Sequence, residues 1–411
     1  MSIIRTAKID CIVGARPNFV KIAPIVRALH EYGPIATRLI HTGQHYDARM
    51  NAVFFDELGI PEPDCHLEVG SGTHTQQTAR IMMAIEPLFV RARPDLVLVV
   101  GDVNSTVAAA LVAAKLNIPI AHVEAGLRSF DRSMPEEINR IVTDHLCELL
   151  FATERSAVDN LVKEGIDPGK IRLAGNVMID TLRACLDRAI PARATLAEVG
   201  APDRFRAAAE DGFALVTLHR PSNVDRAATL KGMLEALVEI SRHVPVAFPL
   251  HPRTERATAA AGLGALLRQG RIWATPPLSY LRLIGLMREA KLVITDSGGV
   301  QEETTALGVP CLTVRENTER PITVAEGTNR VVGADPRAWI AAVADVLATG
   351  GKKGRIPPLW DGRAAPRIAE AVAAFLAALP GKGPLASRPP VITTPSSLYD
   401  ISEEPGSAAA Q

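Results

Sequence analysis

Residues 122–140 read HVEAGLRSFDRSMPEEINR and place three carboxylates, Glu124, Glu136 and Glu137, around a loop that also carries Arg128 and Arg132. A strand-like apolar run, IPIAHVE, ends on Glu124, and a helix is expected to open at Pro135. Acids on both sides of one loop have two readings. The first is charge balance, because Pro at the first helical position followed by two glutamates is what the helix dipole favours. The second is an acid/base site at the carboxyl end of a strand. Another acid, Asp102, ends the run DLVLVVGD, where it can equally stand at the start of a helix through TVAAALVAAKL with Asn104 or Ser105 as its cap. Each acid alone has a fair structural explanation. Asp102, Glu124 and Glu136 or Glu137 converging on one crevice is the sharper pattern.

Complementary groups end other apolar runs. GARPNFVK offers Gly14 for a tight turn, Arg16 to project into the crevice, and the amino end of a helix that carries Lys21; helix N-termini and guanidinium groups both suit phosphate oxygens. Later in the chain, FALVTLHR ends on His219 and Arg220, and VAFPLHPR brings His251 and Arg253. VITDSGGVQEE sets Ser297, Gly298 and Gly299 at a helix N-terminus whose free N–H groups can hold a diphosphate, with Glu303 within reach of a ribose. Neither G-x-G-x-x-G nor a Walker A sequence occurs, which removes the strongest cue for dinucleotide or P-loop chemistry. The pattern is one half bearing carboxylates and another bearing phosphate ligands.

Short β-branched runs alternating with longer helical patterns must position these groups. KIDCIVGA, TRLIHTG, DLVLVVGD, IPIAHVEAG, ELLFAT and KIRLAG form one series; FALVTLHR, VPVAFPLH, RIWATP, KLVITDSGG, VPCLTV and NRVVGA form a second. Continuous rather than alternating hydrophobicity marks strands covered on both faces. The fold class read from this is α/β, two doubly wound parallel-sheet domains of Rossmann type, divided near 185–212: residues 1–185 with the carboxylates and 186–362 with the phosphate ligands. A helix at 363–379 follows, and 380–411, rich in Pro, Ser, Gly and Ala, reads as a disordered tail.

Composition sets the outer bounds. The 411 residues are 47% hydrophobic and 22% charged, enough to bury two cores, and 45 basic residues balance 45 acidic ones. No global field recruits nucleic acid or an anionic membrane, so any phosphate site is local. The five cysteines, Cys11, Cys65, Cys147, Cys185 and Cys311, are scattered without metal-ligand spacing and read as reduced thiols. The N-terminal stretch runs straight into a strand and no window reaches the ~18 apolar residues of a membrane span, so a cytoplasmic protein is expected.

The motifs GARPNFVKIAP, TGQHYD, GDVNST, HVEAGLRSFDRSMPEEINR, GNVMIDTL, LHRPSNVD, DSGGVQEE and RENTERPITVAEGTNRVVG, in this order across roughly residues 8–380, resemble the non-hydrolysing UDP-N-acetylglucosamine 2-epimerases. The resemblance implies a fold similar to the B-type glycosyltransferases, with a central cleft between the domains and a last helix crossing back to the first. It also implies a homodimer that uses neither metal nor nicotinamide. The implied reaction is elimination of UDP to a 2-acetamidoglucal followed by re-addition. Residue by residue, it assigns Asp102, Glu124 and Glu136 to the acid/base group and His219 to the departing diphosphate. Arg16, Lys21, Arg220, His251, Ser297, Gly298, Gly299 and Arg320 become binding residues, Glu303 a ribose ligand, and Glu137 a dipole partner only. Where many members carry Glu, this chain has Asn18 and Ser222. In TGQHYD, near Gln44 and His45, it has Asp47 where members with an activating second UDP-N-acetylglucosamine site commonly carry Gln, which puts that activation in doubt. The alternatives are a hydrolysing epimerase, a 2-epimerase of a 2,3-diacetamido uronic acid sugar nucleotide, and a B-type glycosyltransferase.

Overall fold

The apolar runs pair as two separate parallel sheets. The computed structural model describes residues 6–43 and 57–379, apart from the side chain of Arg16; Gln44, His45, Asp47 and the 380–411 segment lie outside them. In the first sheet are β1 (Ala7–Val13), β2 (Ile35–His41), β3 (Cys65–His66), β4 (Leu96–Val100), β5 (Ile120–Ala125), β6 (Leu149–Ala152) and β7 (Ile171–Leu173). The second holds β8 (Ala214–Thr217), β9 (Val246–Pro249), β10 (Ile272–Thr275), β11 (Leu292–Thr295), β12 (Cys311–Thr313) and β13 (Asn329–Val331). Spatial orders are β3-β2-β1-β4-β5-β6-β7 and β10-β9-β8-β11-β12-β13. Every pairing is parallel. Each order reverses once, between β1 and β4 and between β8 and β11, and crevices at such switch points beyond the strand carboxyl ends are where ligands bind in this class.

β4 and β5 are buried throughout, as expected of strands covered on both faces. Among the described strands the two-residue β3 is the one without an apolar run, since a pairing that short leaves no periodicity to read. Between the sheets run helices Val177–Leu186, Ala192–Glu198 and Asp203–Ala209. The first joins the core under β1, and the other two place Ala192, Leu196 and Phe205 in a core with the second sheet. Among the described residues no helix is long and apolar enough to cross a membrane.

After helix Pro336–Thr349 on the second sheet, the chain returns to the first. Trp360, fully buried, donates from Nε1 to the Thr153 carbonyl at 3.3 Å. Helix Ala364–Ala377 then packs on helix Arg16–Tyr32, and its first N–H groups, of Ala364 and Ala365, donate to the Asp180 carboxylate at 3.1 and 2.7 Å. That carboxylate supplies the cap that the sequence around Arg363 lacks. Burial pushes the Asp180 carboxyl up to about 6, although both backbone donors pull it down.

Gly175 shows how tightly this return segment is seated. Its φ is +88°, and a Cβ there would lie 2.1 Å from the Leu359 carbonyl oxygen. Gly165, at φ +83°, has nothing within 4 Å. Ala at Gly165 should cost only the left-handed backbone penalty, about 1–2 kcal/mol. Ala at Gly175 should add an overpacking cost of about 1–3 kcal/mol. Thermal melts of the two variants side by side check this: equal losses would mean that the return segment does not press on Gly175.

Candidate active site

The site is built where the two switch points face each other. At the first, Gly101 (φ +67°) ends β4, and a Cβ on it would meet Lys21 Nζ at 2.9 Å and Glu124 Oε2 at 3.5 Å, so only glycine lets these groups converge. On β5 the register shifts between Val123 and Ala125, and Glu124 itself adopts φ +76°. A non-glycine residue there is strained, and such strain collects at functional positions. The bulge turns the Glu124 carboxylate to lie between the Lys21 ammonium and the Arg320 guanidinium, in direct ion-pair contact with both, and all three side chains are buried. Lys21 comes from the helix after β1 and Arg320 from the loop after β12. The pair Glu124–Arg320 therefore spans the cleft.

Asp102, half-buried, pairs with Arg140 at 2.5 Å. Burial disfavours its charge, but Arg140, Lys21, Arg320 and Arg220 together outweigh that and hold its carboxyl below the usual range. Glu136, 35% exposed, faces Arg220 of the second domain with 3.9 Å between the charged atoms. Asp102, Glu124 and Glu136 thus share one cluster of cations.

Glu137 is more than a dipole partner. It is 1% exposed, accepts hydrogen bonds from Ser129 N (2.9 Å), Ser129 Oγ (3.0 Å) and Phe130 N (3.0 Å), and pairs with Arg140 at 2.8 Å. It therefore fixes both the loop after β5 and the guanidinium that holds Asp102. Arg140 was not singled out in the sequence, although its i,i+3 spacing from Glu137 was a signal. Beneath the same strand ends, His122 is fully buried, with Nδ1 2.6 Å from an Asp144 oxygen and Nε2 2.9 Å from the Gly101 carbonyl. Asp144 also accepts from Gly126 N at 3.1 Å. These two side chains brace the residues flanking Asp102 and Glu124.

At the second switch point His219 Nδ1 lies 2.9 Å from the carboxylate of Asp296, which is fully buried. Asp296 also accepts from the His219 and Arg220 backbone N–H groups, each at 2.9 Å, and from Asn223 Nδ2 at 3.0 Å. With Nδ1 held this way, Nε2 is the ring nitrogen presented to a ligand. Asp296 also escaped the sequence reading, although it ends β11 as Asp102 and Glu124 end their own runs. The His251 ring packs against that of His219 with centroids 5.3 Å apart, and its imidazole caps helix Pro252–Ala260 by accepting from Arg253 N at 3.2 Å. Arg253 itself is taken by Asp225, at 2.8 and 2.6 Å.

Ser297 stands at the N-cap position of helix Gly298–Leu307 without a side-chain capping bond, and a Cβ on Gly298 would lie 2.9 Å from Glu319 Oε1 and 3.9 Å from Arg320 Nε. The turn therefore adjoins the Arg320 guanidinium. Glu319 binds Arg315 at 2.8 Å and Arg220 at 3.3 Å; burial works against its charge, but Arg320, Arg315 and Arg220 bring its carboxyl down to about 2. Glu302, 1% exposed, pairs with Arg320 Nε at 2.6 Å. Glu303 is also buried and accepts from the Tyr280 hydroxyl at 2.6 Å, and burial pushes its carboxyl up to about 7. Arg16 opens its helix at the β1 turn.

Asn18 explains one departure from the resembled family. Its Oδ1 accepts from Ala15 N at 3.0 Å while its Nδ2 donates to the Val100 carbonyl at 2.8 Å. An ionised Glu can accept but not donate. All five cysteines are free thiols, and among the described residues no cluster of acids, histidines and cysteines has metal-binding geometry.

Known proteins resemble this chain in sequence and in fold. The family profile described as UDP-N-acetylglucosamine 2-epimerase matches residues 27–373. The UDP-N-acetylglucosamine 2-epimerase of Methanocaldococcus jannaschii is 42% identical over 367 residues, covering 88% of this chain and 97% of that protein. The UDP-2,3-diacetamido-2,3-dideoxy-D-glucuronate 2-epimerase of Pseudomonas aeruginosa is 44% identical over 330 residues, 80% of this chain and 88% of that one. The crystal structure of the M. jannaschii enzyme with UDP-GlcNAc and UDP superposes with a TM-score of 0.80 at 40% identity, covering 89% of this chain and 99% of that chain. Two parallel α/β sheets meeting at their switch points form the glycosyltransferase-B-like fold of those structures, and with that match in sequence this chain belongs to the UDP-N-acetylglucosamine 2-epimerase family.

Proposed function

We propose that the enzyme interconverts UDP-N-acetylglucosamine and UDP-N-acetylmannosamine without net hydrolysis. The observation that carries this reading is the meeting of first-domain carboxylates with second-domain guanidinium groups across one cleft, Glu124 with Arg320 and Glu136 with Arg220. A sugar between the domains would have acid/base groups at its ring, while its diphosphate lies on the Ser297–Gly298–Gly299 turn beside Arg320 and Arg220. His219, braced by Asp296, and His251 stand near the same anion. Lys21 adds a cation from the first domain, and the resemblance to the family assigns Arg16 to binding and Glu303 to the ribose.

In this scheme a carboxylate of the Asp102, Glu124 and Glu136 group removes the C2 proton. The C2–H electron pair becomes the C1=C2 bond of a 2-acetamidoglucal, and the C1–O bond breaks towards UDP. Guanidinium groups and His219 take up the charge that grows on the leaving oxygen. UDP then adds back after a proton arrives at C2 on the opposite face. No step calls for a metal or a redox cofactor. The product would serve surface polysaccharide synthesis in the cytoplasm, from a homodimer, as in the family that the motifs resemble. A second reading, a UDP-2,3-diacetamido uronic acid as substrate, is favoured by the 44% identity to the Pseudomonas aeruginosa enzyme.

Incubation with UDP-N-acetylglucosamine in D₂O, followed by proton NMR, tests the proposal. Both epimers should appear with deuterium at C2, because the base exchanges with solvent, and little free sugar should form. Accumulation of free N-acetylmannosamine with UDP would make the enzyme a hydrolysing one, and no turnover until a 3-acetamido uronic acid analogue is supplied would favour the second reading.

Neighbouring glutamates should separate chemistry from scaffold. Glu136→Gln, at a half-exposed position, should leave the stability within about 0.5 kcal/mol of wild type and lower turnover roughly 10²–10⁴-fold. Glu137→Gln breaks a buried pair and should cost about 3–5 kcal/mol of stability. Melts and turnover on both variants decide it; normal turnover in Glu136→Gln would remove that residue from the acid/base group.

A further inference from the structure

Arg320 stands between two carboxylates of unequal standing. Glu124 belongs to the other domain and, in the scheme above, to the acid/base group. Glu302 lies one turn into the helix whose N-terminus forms the Ser297–Gly298–Gly299 turn, and it is buried. Its Oε1 is 2.6 Å from Arg320 Nε, while its Oε2 is buried with no hydrogen-bond partner among the described residues. Arg320 Nη1 is likewise buried without a hydrogen-bond partner among them, and the guanidinium adjoins Gly298, where a Cβ would be 3.9 Å from Nε. A diphosphate on that turn would meet an arginine that has a buried donor without a hydrogen-bond partner among the described residues.

We propose that Glu302 is the positioning residue that holds Arg320 in the ligand-free cleft, and that it takes up a proton when a diphosphate draws the guanidinium away. This rests on the UDP-sugar reading above. The charges that act on Glu302 are Arg320, Glu124 from β5, Lys21 from the helix after β1, and Glu154 from the end of β6. Burial is the largest influence and pushes the Glu302 carboxyl up to about 7, with Arg320 and Lys21 pulling down and Glu124 and Glu154 pushing up. Arg320 is thus the main force keeping this acid ionised. Once the guanidinium turns to phosphate oxygens, the buried carboxylate keeps only Lys21 as a nearby cation against Glu124 and Glu154, and a buried acid so placed neutralises by protonation rather than staying charged. The proton comes from solvent and returns when UDP leaves. The consequence for the reaction is that Glu302 can release Arg320 without leaving a buried charge behind, and Glu124 loses one counter-cation when the substrate is in place.

Titration of wild-type enzyme with UDP at pH 8, by calorimetry in buffers of different ionisation enthalpy, reads the linkage directly. A terminal phosphate with a second pKa of about 6 is already fully ionised there, so it contributes no proton. Wild type should take up close to one proton per UDP bound, and Glu302→Gln, which still binds UDP, should take up none. No uptake by wild type, or undiminished uptake in Glu302→Gln, overturns the proposal; the latter would point to His219. If Glu302→Gln fails to fold, infrared difference spectra of wild type should show a protonated carboxyl band appearing on UDP addition, and its absence is equally decisive. Failure of wild type to bind UDP in equilibrium dialysis would instead overturn the UDP-sugar reading itself.

Discussion

The arrangement of the cleft depends on burying the Glu124 carboxylate between Lys21 and Arg320. An ion taken out of water costs several kcal/mol, so it persists only where opposite charge surrounds it closely. Around this centre, positive and negative groups alternate: Arg320 with Glu302, Arg140 with Asp102 and Glu137, Arg220 with Glu136 and Glu319, Arg315 with Glu319. Because Lys21, Arg140 and Glu124 come from the half of the chain built on the first sheet and Arg220, Arg315 and Arg320 from the half built on the second, these charges also hold the two halves face to face.

Backbone geometry makes the charge network possible. Glu124 reaches its partners only through the bulge on β5 and a left-handed φ, and Gly101 leaves the space that Lys21 and Glu124 occupy. Strain of this kind, about 1–3 kcal/mol per residue, persists when surrounding contacts over-determine it. Here the surroundings are His122 and Asp144 beneath the strand ends, and Glu137 gripping the loop that follows. On the second sheet Asp296 does the same for His219 and the Arg220 backbone. Asp102, the Glu124 loop, His219 and the Arg220 backbone are therefore held by buried polar residues one layer deeper.

Much of the architecture was legible in the amino-acid sequence. Continuous apolar runs at regular intervals dictate buried parallel strands, since only a sheet covered on both faces has use for VLVV or AHV without alternation. The strand endings then mark the crevice, and Asp102, Glu124, His219, Arg220 and the Ser297–Gly299 turn all lie at the two switch points for that reason. The missed residues, Arg140, Asp144, Asp296, Glu302 and Glu319, share a property: each acts by pairing with a residue distant in the chain or a helical turn away, and such partners carry no periodic signal.

What the sequence determined by itself is the alternation of strands and helices, the doubling of the sheet, and the list of charged groups that must lie at strand ends. What only the tertiary structure decided is which charges meet. Glu136 and Glu137 are adjacent and chemically identical, yet one faces Arg220 across the cleft at 35% exposure and the other is 1% exposed under the loop it orders. Glu302 and Glu303 divide in the same way between Arg320 and the Tyr280 hydroxyl. Consecutive residues on a helix point about 100° apart, so their fates are set by what the rest of the chain packs against each face, and that packing exists only once the two sheets have come together.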